Sequence, residues 1–225
     1  YPMRFVGNMS LNPIEGKDAY SVVVYRYAGL DPETGDPQGY LEGELSTDYI
    51  GLTNAPLEDY QYLGSSSPRY FGSVRQTVFF GPLSLGINIQ YKAGYYFMRQ
   101  SINYGDLFAN NYGHADFYQR WQQPGDERNT TVPSMRYPNN SYRNDFYANS
   151  SALAERGDHV RIQEITAGYE AKIGRNDRIS SRFFLTASNL GIVWRANKHG
   201  LDPDLYANRP IPIPPNYAVG IQITY

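Results

Sequence analysis

The clearest feature of the sequence is a strict alternation of apolar and mostly polar or small residues from Leu83 to Met98. One parity runs from Leu83 to Phe97 and the other begins at Ser84. Period-two alternation places the two sets on opposite faces of a β-strand. Because strands of globular proteins usually have about 5 to 6 residues, a strand over 83–98 favours a tilted strand of a membrane barrel.

Two hairpins are predicted around short turns. Strand 70–80 alternates in the same way and reaches strand 83–98 through a tight reversal at 81–82. A second hairpin joins strand 159–172 to strand 182–189 through a turn at 174–177. The pattern therefore predicts antiparallel pairing in both places.

One of these strands changes its parity. Val160 and Ile162 lie on one parity, whereas Ile165 and the apolar residues after it lie on the other. An extra residue in one strand of a pair has this effect. We therefore expect a β-bulge near Gln163 and Glu164.

Three further strands are predicted from shorter patterns. Segment 215–225 alternates up to a terminal aromatic, segment 20–29 is rich in β-branched and aromatic residues, and segment 1–8 is consistent with the end of another strand. We see no internal repeat and no convincing helix longer than about two turns. The fold class predicted is all-β.

The connections between these strands differ greatly in length. Long polar links occupy 30–68, 99–158 and 190–214, whereas the hairpin turns are short. If strand 215–225 ends in the periplasm, every long link falls on the extracellular side. This asymmetry is typical of outer-membrane barrels, and links of this length would be unusual in an ordinary compact domain.

Composition excludes several other classes of protein. The 225 residues carry 20 Lys plus Arg against 22 Asp plus Glu, a formal charge of -2, which gives no basic surface for nucleic acid. There is no Cys, so disulfide scaffolds and thiolate sites are excluded. Mean hydropathy is -0.56 and no apolar run reaches about 18 residues, so no transmembrane helix is expected.

Five sequence blocks, in order along the chain, resemble the carboxy-terminal part of SusC/RagA-type TonB-dependent transporters. They cover nearly the whole sequence and close on a terminal aromatic strand. The blocks are YRYAGLDPETGDPQGY (25–40), GSSSPRYFGSVRQTVFF (64–80), RWQQPGDE (120–127), ALAERGDHVRIQEITAGYE (152–170) and ASNLGIVWRANKHGLDPDL (187–205).

The resemblance implies a fold and a set of partners. The chain would supply roughly the last third of a plugged 22-stranded transmembrane β-barrel with long extracellular loops. The plug domain, the TonB-contacting segment and the earlier strands are not found in this sequence, so we expect a fragment or one part of a transporter. Expected partners are that remainder, a SusD-like surface lipoprotein, the TonB complex, the lipid bilayer and a substrate.

The resemblance also implies a function. The barrel would import oligosaccharides or oligopeptides across the outer membrane of a Bacteroidetes-type bacterium. Tyr225 ends the chain on an aromatic that resembles the signal read by the barrel-assembly machinery. The alternative is a soluble carbohydrate-binding β-sandwich, which accommodates the long strand and the one-sided loops poorly.

Aromatic residues crowd the 99–158 link, and aromatic rings stack well on sugars and on peptide side chains. Packing of the loop on itself or against a lid protein remains the other interpretation, and for Trp194 a role in ordering the last loop is favoured. On strand 83–98, Tyr91, Tyr95 and Phe97 are expected at the lipid interface. The candidate substrate or lid contacts are Tyr112, His114, Tyr118, Trp121, Tyr147 and Trp194.

No catalytic, cofactor or metal site is expected. The histidines His114, His159 and His199 lie on separate polar segments without ligand spacing and are expected to be exposed. The acidic segment 31–42 lacks the glycine of a calcium loop. Asp126, Glu127 and Asp158 are the candidate acids for glycoside hydrolysis. That reaction needs two carboxylates at a defined distance, and nothing in the sequence fixes such a distance.

Overall fold

The computed structural model describes residues 14–173, 179–208 and 212–224. They divide into a loop unit, which is the described part of Tyr1–Ser67 and Tyr96–Glu155, and a sheet unit, which is the described part of Pro68–Tyr95 and Arg156–Tyr225. The strands and helices are β1 Ser21–Val24, β2 Tyr27–Leu30, β3 Pro37–Leu41, β4 Glu44–Ser46, α1 Tyr49–Thr53, β5 Gln61–Ser65, β6 Tyr70–Phe80, β7 Leu83–Ala93, β8 Tyr96–Met98, α2 Tyr104–Asn110, α3 Ser141–Ala148, β9 Ala154–Arg156, β10 His159–Ile173, β11 Ile179–Arg195, α4 Pro203–Asn208 and β12 Asn216–Thr224.

The sheet unit is one antiparallel sheet of five strands in the order β12-β11-β10-β7-β6. The β6–β7 hairpin turns at Gly81 and Pro82, where Phe80 pairs with Leu83. The connections from β7 to β10 and from β11 to β12 leave from the opposite end of the sheet, as antiparallel order requires. None of the helices in the part of the chain that the structure describes is long and apolar enough to cross a membrane.

One face of this sheet carries apolar side chains on all five strands, with Gln76 and Ser181 as polar exceptions. Cross-strand partners share a face, so the register aligns Ile89 with Ile162 and Leu185 with Val219 on the same side. The side chains on this face stay largely uncovered. Those with exposed fractions between 42% and 82% are Tyr70, Val74, Val78, Phe80, Leu83, Leu85, Tyr91, Tyr169, Phe183, Leu185, Trp194, Tyr217, Val219, Ile221 and Ile223.

The other face of the sheet carries mainly polar and small side chains, together with Phe71 and Phe79 of β6, each 71% exposed. Arg75 on β6 pairs with Glu164 on β10 at 3.3 Å across the intervening β7. Small residues form a row beside this pair, where Gly86 lies between Thr77 and Thr166. They line a shallow depression of about 120 Å³. Asn88, Gln90 and Lys92 follow on the same face of β7.

The expected bulge is confirmed at Gln163. Ile162 pairs with Ile89 and Glu164 pairs with Asn88, so Gln163 has no partner in the ladder with β7. The extra residue keeps Ile162 and Ile165 on the same face although they differ in parity. The apolar face is therefore continuous across the change of pattern.

The strand predicted over 83–98 is broken, since β7 ends at Ala93 and β8 begins at Tyr96. Gly94 adopts φ +78, a left-handed conformation that ends β7 at Ala93, and its N–H donates to the Asp158 carboxylate at 2.7 Å. Tyr95 and Phe97 are only 5% and 2% exposed. Their assignment to the lipid interface was wrong, because the alternation continues past the end of the strand.

The loop unit contains strands and helices in ranges that were predicted to be long loops. Three small sheets, β1-β5, β2-β3-β4 and β8-β9, lie within ranges 20–68 and 96–158 together with α1, α2 and α3. Segment 20–29 is not one strand, because Tyr25 and Arg26 separate β1 from β2. The last link also begins later than expected, since β11 runs to Arg195 rather than ending near 189.

Apolar burial is concentrated in two clusters of the loop unit. Phe146 of α3 is fully buried among Tyr25, Tyr49 and Leu52. The second cluster contains Ile102, Tyr104 and Val132, with Leu107, Phe108 and Phe117 packed against it. The predicted strand 1–8, the turn 174–177 and Tyr225 lie outside the described residues.

Candidate functional site

Tyr112 is placed on the surface by the end of helix α2. The Asn103 side chain caps the first turn by accepting from the N–H groups of Gly105 and Asp106. Asn111 ends the helix in a left-handed conformation at φ 56. The chain then turns outward, and Tyr112 is 71% exposed.

His114 and Asp116 begin the short 3₁₀ segment that presents Tyr118. The His114 Nδ1 accepts from the Asp116 N–H at 3.1 Å. The Asp116 carboxylate accepts from Ser101 Oγ and from Arg99 Nη1, both at 2.6 Å. Although burial acts to raise it, the hydrogen bonds from Ser101 and Arg99 hold the pKa of Asp116 below its ordinary value. The carboxylate is therefore an anchor for this segment.

Tyr118 is the most exposed aromatic among the predicted contact residues. Its exposed fraction is 84%, and its ring meets the Phe117 ring edge to face at 6.0 Å. Phe117 packs on the buried cluster of Ile102 and carries the Arg120 guanidinium over its ring at 4.0 Å. The arrangement offers a rigidly supported aromatic face to solvent.

Trp121 and Tyr147 do not lie on the surface, contrary to expectation. Trp121 is 8% exposed, and Gly35 packs so closely on its ring that a Cβ there would lie 2.4 Å from Cδ2. Tyr147 is 3% exposed and its hydroxyl lies 3.3 Å from Ser101 Oγ. These two rings stabilise the loop unit from inside, as the alternative interpretation of the aromatic cluster had it.

Trp194 lies in the sheet unit, unlike the other predicted contact residues. It stands on β11 opposite Val160, with 55% of its surface exposed. This position belongs to the apolar face of the sheet.

Sequence reasoning missed two open clefts of the loop unit. The first, of about 560 Å³, lies between α2 and α3 and is lined mainly by amide and carboxylate side chains of Asn103, Asp106, Asn139, Asn144 and Asp145. The second, of about 720 Å³, shares Asn139 and Ser141 with the first. The clustering of asparagines at 139–144 and 103–111 was the available signal.

An ion-pair network stiffens the second cleft. Asp36 accepts from Arg143 Nε at 2.8 Å and pairs with Arg136 at 2.9 Å. Arg143 also donates to the Ser134 carbonyl at 2.8 Å. Exposed side chains of Met135 and Tyr137 stand beside it, at 48% and 83% exposure. The cleft combines a cationic group with apolar and aromatic surface.

The acidic residues considered for other chemistry are held by protein donors. The Asp31 carboxylate accepts from the backbone of Glu33 and Thr34 and from the Thr34 hydroxyl. Glu127 accepts from the Gly125 N–H at 2.7 Å, and its pKa is lowered mainly by backbone hydrogen bonds. Within ranges 14–173, 179–208 and 212–224, no group of three acidic or histidine side chains is arranged to hold a metal ion.

His159 differs from the expected exposed histidine. Its side chain is fully buried, and Nδ1 lies 2.9 Å from the Gly157 carbonyl and 3.3 Å from the Tyr95 hydroxyl. His114 keeps 34% of its side chain exposed. The two histidines therefore have different surroundings in different units.

Comparison with known proteins identifies structural neighbours. Neither a protein-family model nor a curated protein sequence matches the chain. The RagAB peptide importer in its open-open state matches with a TM-score of 0.62 over 91% of this chain at 20% identity. The RagAB peptide transporter gives 0.60 over 90% at 19% identity, and the closed-closed importer gives 0.57 over 90% at 22% identity.

These matches concern the fold and only part of each neighbour. The chain spans 22% of the length of each of the three neighbouring chains. All three are transporters, and the matched portion includes the greater part of both units described above. The chain therefore shares the fold of a portion of the RagAB importer, which supports the SusC/RagA resemblance found in its sequence.

Proposed function

We propose that this chain is part of a SusC-like TonB-dependent transporter that imports oligopeptides or oligosaccharides across the bacterial outer membrane. The observation that carries the proposal is the sheet with one apolar and one polar face, found in a chain that shares its fold with the RagAB importer. Transport is carried out by the assembled transporter, and this chain supplies one part of it.

The apolar face supports a position in lipid. Its outermost strand β12 carries Val219 and Ile221 at 82% and 61% exposure, which is unfavourable in water at about 25 cal/mol for each Å² of apolar surface. In a bilayer the same side chains contact acyl chains. β6 and β12, the two edges of the sheet, then pair with the earlier strands of the transporter, because an open edge in lipid leaves backbone groups without partners.

The polar face and the loop unit take the remaining roles. The row at Thr77, Gly86 and Thr166 faces the interior of the barrel, where small side chains allow a plug domain to approach closely. The loop unit is extracellular and contacts a SusD-like lipoprotein lid. TonB energises import through a segment of the transporter outside this sequence, and Tyr225 acts in barrel assembly.

Substrate contact is proposed for the exposed residues of the loop unit. Tyr112, His114 and Tyr118 surround the α2 end and the 3₁₀ segment that follows it, where aromatic faces are rigidly supported. The clefts beside α3 offer amide groups that match both peptide backbones and sugar hydroxyls. Trp121 and Tyr147 have no part in this contact because they are buried.

A soluble carbohydrate-binding β-sandwich is the rival function. A sandwich covers the apolar face of one sheet with a second sheet. The described residues leave that face exposed from β6 to β12, so the rival lacks its hydrophobic core. The structure thus favours the transporter.

The test is cellular and uses the full-length protein. Cells with the gene deleted and cells carrying it on a plasmid are compared for uptake of labelled oligopeptides and labelled oligosaccharides, with membrane fractions probed for the protein. We expect the protein in the outer membrane and uptake of one of the two substrate classes to be lost on deletion and on removal of TonB. Recovery of the protein in the soluble fraction, or uptake that is independent of it, would contradict the proposal.

A further inference from the structure

The connection between β11 and β12 is fastened to the polar face of the sheet by ion pairs. The Asp204 carboxylate of α4 accepts a hydrogen bond from Lys92 Nζ of β7 at 2.8 Å. Arg161 Nη2 of β10 lies 2.7 Å from both carboxylate oxygens of Asp202. Arg161 also lies 3.4 Å from Asp204. We call the connection 197–205 the strap.

The strap is closed on itself by one side chain. Asn197 donates to the Leu201 carbonyl at 3.0 Å and accepts from the Leu201 N–H at 2.9 Å. Arg195 also donates to the Gly200 carbonyl. Because its turn is internally bonded, the strap can leave the sheet as one piece when the ion pairs break.

His159 is a buried titratable side chain that faces Asp204 of the strap. A carbonyl only accepts, so the Nδ1 that lies 2.9 Å from the Gly157 carbonyl carries a hydrogen. The ring is fully buried, and its Nε2 lies 3.5 Å from Asp204 Oδ2 with no closer polar partner among the described residues. A neutral ring directs its lone pair at the carboxylate, whereas a protonated ring directs an N–H.

The charges around this ring come from every element packed near it. Asp158 is occupied by Arg156 and by the Gly94 N–H, so it takes little part in holding the strap. The groups that face the cluster are Lys92 on β7, the Tyr95 hydroxyl after it, Asp158 and Arg161 at the start of β10, Arg195 at the end of β11, and Asp202 and Asp204 on the strap.

The closed arrangement is incompletely bonded. Nε of Arg161, like Nε2 of His159, is buried without a hydrogen-bond partner in the part of the chain that the structure describes. The Arg161 Nε–H is a buried donor without an acceptor, and the neutral His159 Nε2 is a buried acceptor without a donor, so the closed strap is held less tightly than its ion pairs alone suggest. Such segments open at lower free energy than the sheet that they cover.

We propose that the strap is a releasable element whose attachment to the polar face strengthens when His159 is protonated. Protonation adds a donor to the Asp204 carboxylate beside Lys92, and deprotonation replaces it with a lone pair. The strap is therefore held more firmly when the ring is protonated and opens more often when the ring is neutral. This device does not depend on what the protein transports.

The test measures the position of the strap in the full-length protein in detergent or nanodiscs. Spin labels are placed on Lys198→Cys of the strap and Ser73→Cys on the polar face of β6, in a background without other cysteines. Double electron–electron resonance then reports the distance between them at about pH 5.5 and about pH 8. We expect a single narrow distance at the lower pH and a displaced population about fivefold larger at the higher pH.

Three variants separate the device from a general effect of pH. Asp204→Asn, whose side chain is partly exposed, keeps the fold, enlarges the displaced population at both pH values and abolishes the response. His159→Asn abolishes the response as well. His199→Gln, in the exposed part of the strap, keeps it. An unchanged distance in the unmodified protein, or a pH response retained by Asp204→Asn, would overturn the proposal.

Discussion

The sheet unit and the loop unit place their apolar side chains by different rules. In the sheet unit most apolar residues lie at alternate positions on one face and stay exposed, as Val219 and Ile221 do. In the loop unit the apolar residues turn inward and pack on one another, with Phe146 at 0% exposure. One pattern is set by the surroundings of the protein, and the other by its own tertiary contacts.

The largest expected effect concerns the core of the loop unit. Phe146→Ala removes a fully buried ring from the cluster of Tyr25, Tyr49 and Leu52, and should lower the free energy of unfolding of that unit by about 3–5 kcal/mol. Hydrogen exchange should show the loss of protection in β1 and α3 while β10 and β11 keep theirs. Tyr142→Ala on the same helix, where the ring is 41% exposed, serves as the control. Equal loss in both units would show that they do not differ as described.

The second effect compares neighbouring residues on opposite faces of β7. Ile87→Lys places a charge on the apolar face and should cost about 2–4 kcal/mol in a bilayer, because the charge meets acyl chains. Asn88→Lys places the same charge on the polar face, beside Glu164, and should cost far less. Urea unfolding of the full-length protein in lipid vesicles measures both. Similar costs for the two variants would contradict the assignment of the faces.

A smaller effect tests how local hydrogen bonds shape the loop unit. Although burial acts to raise it, hydrogen bonds from Thr34 and Glu33 hold the pKa of Asp31 below its ordinary value of 3.8. The ionised Asp31 carboxylate therefore stabilises the folded protein fully at pH values above 3.8. This stabilisation is lost as the pH falls through the lower pKa that Asp31 has in the folded state. Asp31→Ala should cost about 1 kcal/mol near neutral pH and make unfolding less sensitive to acid.

This prediction is checked by thermal unfolding between neutral pH and about pH 2. Glu33→Gln is the matched control, since Glu33 is exposed and contributes its backbone N–H to the turn. It should leave the acid profile unchanged. If the stability of Asp31→Ala depends on pH in the same way as that of the unmodified protein, Asp31 does not stabilise this turn.

The smallest effect on stability belongs to the surface of the loop unit. Tyr118→Ala removes a ring that is 84% exposed and should change the free energy of unfolding by less than about 0.5 kcal/mol. Uptake of the substrate should nevertheless fall about 2- to 10-fold, the range expected for one stacking contact. Tyr40→Ala, a further exposed tyrosine of this unit, is the control. Uptake equal to that of the control would exclude Tyr118 from substrate contact.

The sequence was informative about the sheet because alternation is a local property. The range 70–80, Gln163 as a bulge and the polarity of the two faces all follow from which side chains are apolar at successive positions. The error at 83–98 has the same origin. Tyr95 and Phe97 continue the alternation, but a left-handed Gly94, whose N–H donates to the Asp158 carboxylate, ends the strand, and neither feature appears in the hydrophobic pattern.

The candidate site was predicted only in part, because burial in the loop unit depends on distant contacts. Nothing near Trp121 in the sequence indicates that Gly35 closes over its ring. Tyr112, Tyr118 and Tyr147 all lie in stretches rich in polar and aromatic residues, yet only Tyr147 is enclosed. The acidic pair on the strap likewise depends on Lys92 and Arg161, which lie about 40 residues or more away along the chain.

The unpaired Gln163 bears on how this chain can change its length during evolution. A residue without a ladder partner can be lost while the pairs on both sides of it with β7 keep their register. A loss at any other place in β10 turns every following side chain to the opposite face. Insertions and deletions among relatives that fall within β10 are therefore expected at the position of Gln163. A reporter residue can be inserted there without moving the following side chains to the opposite face.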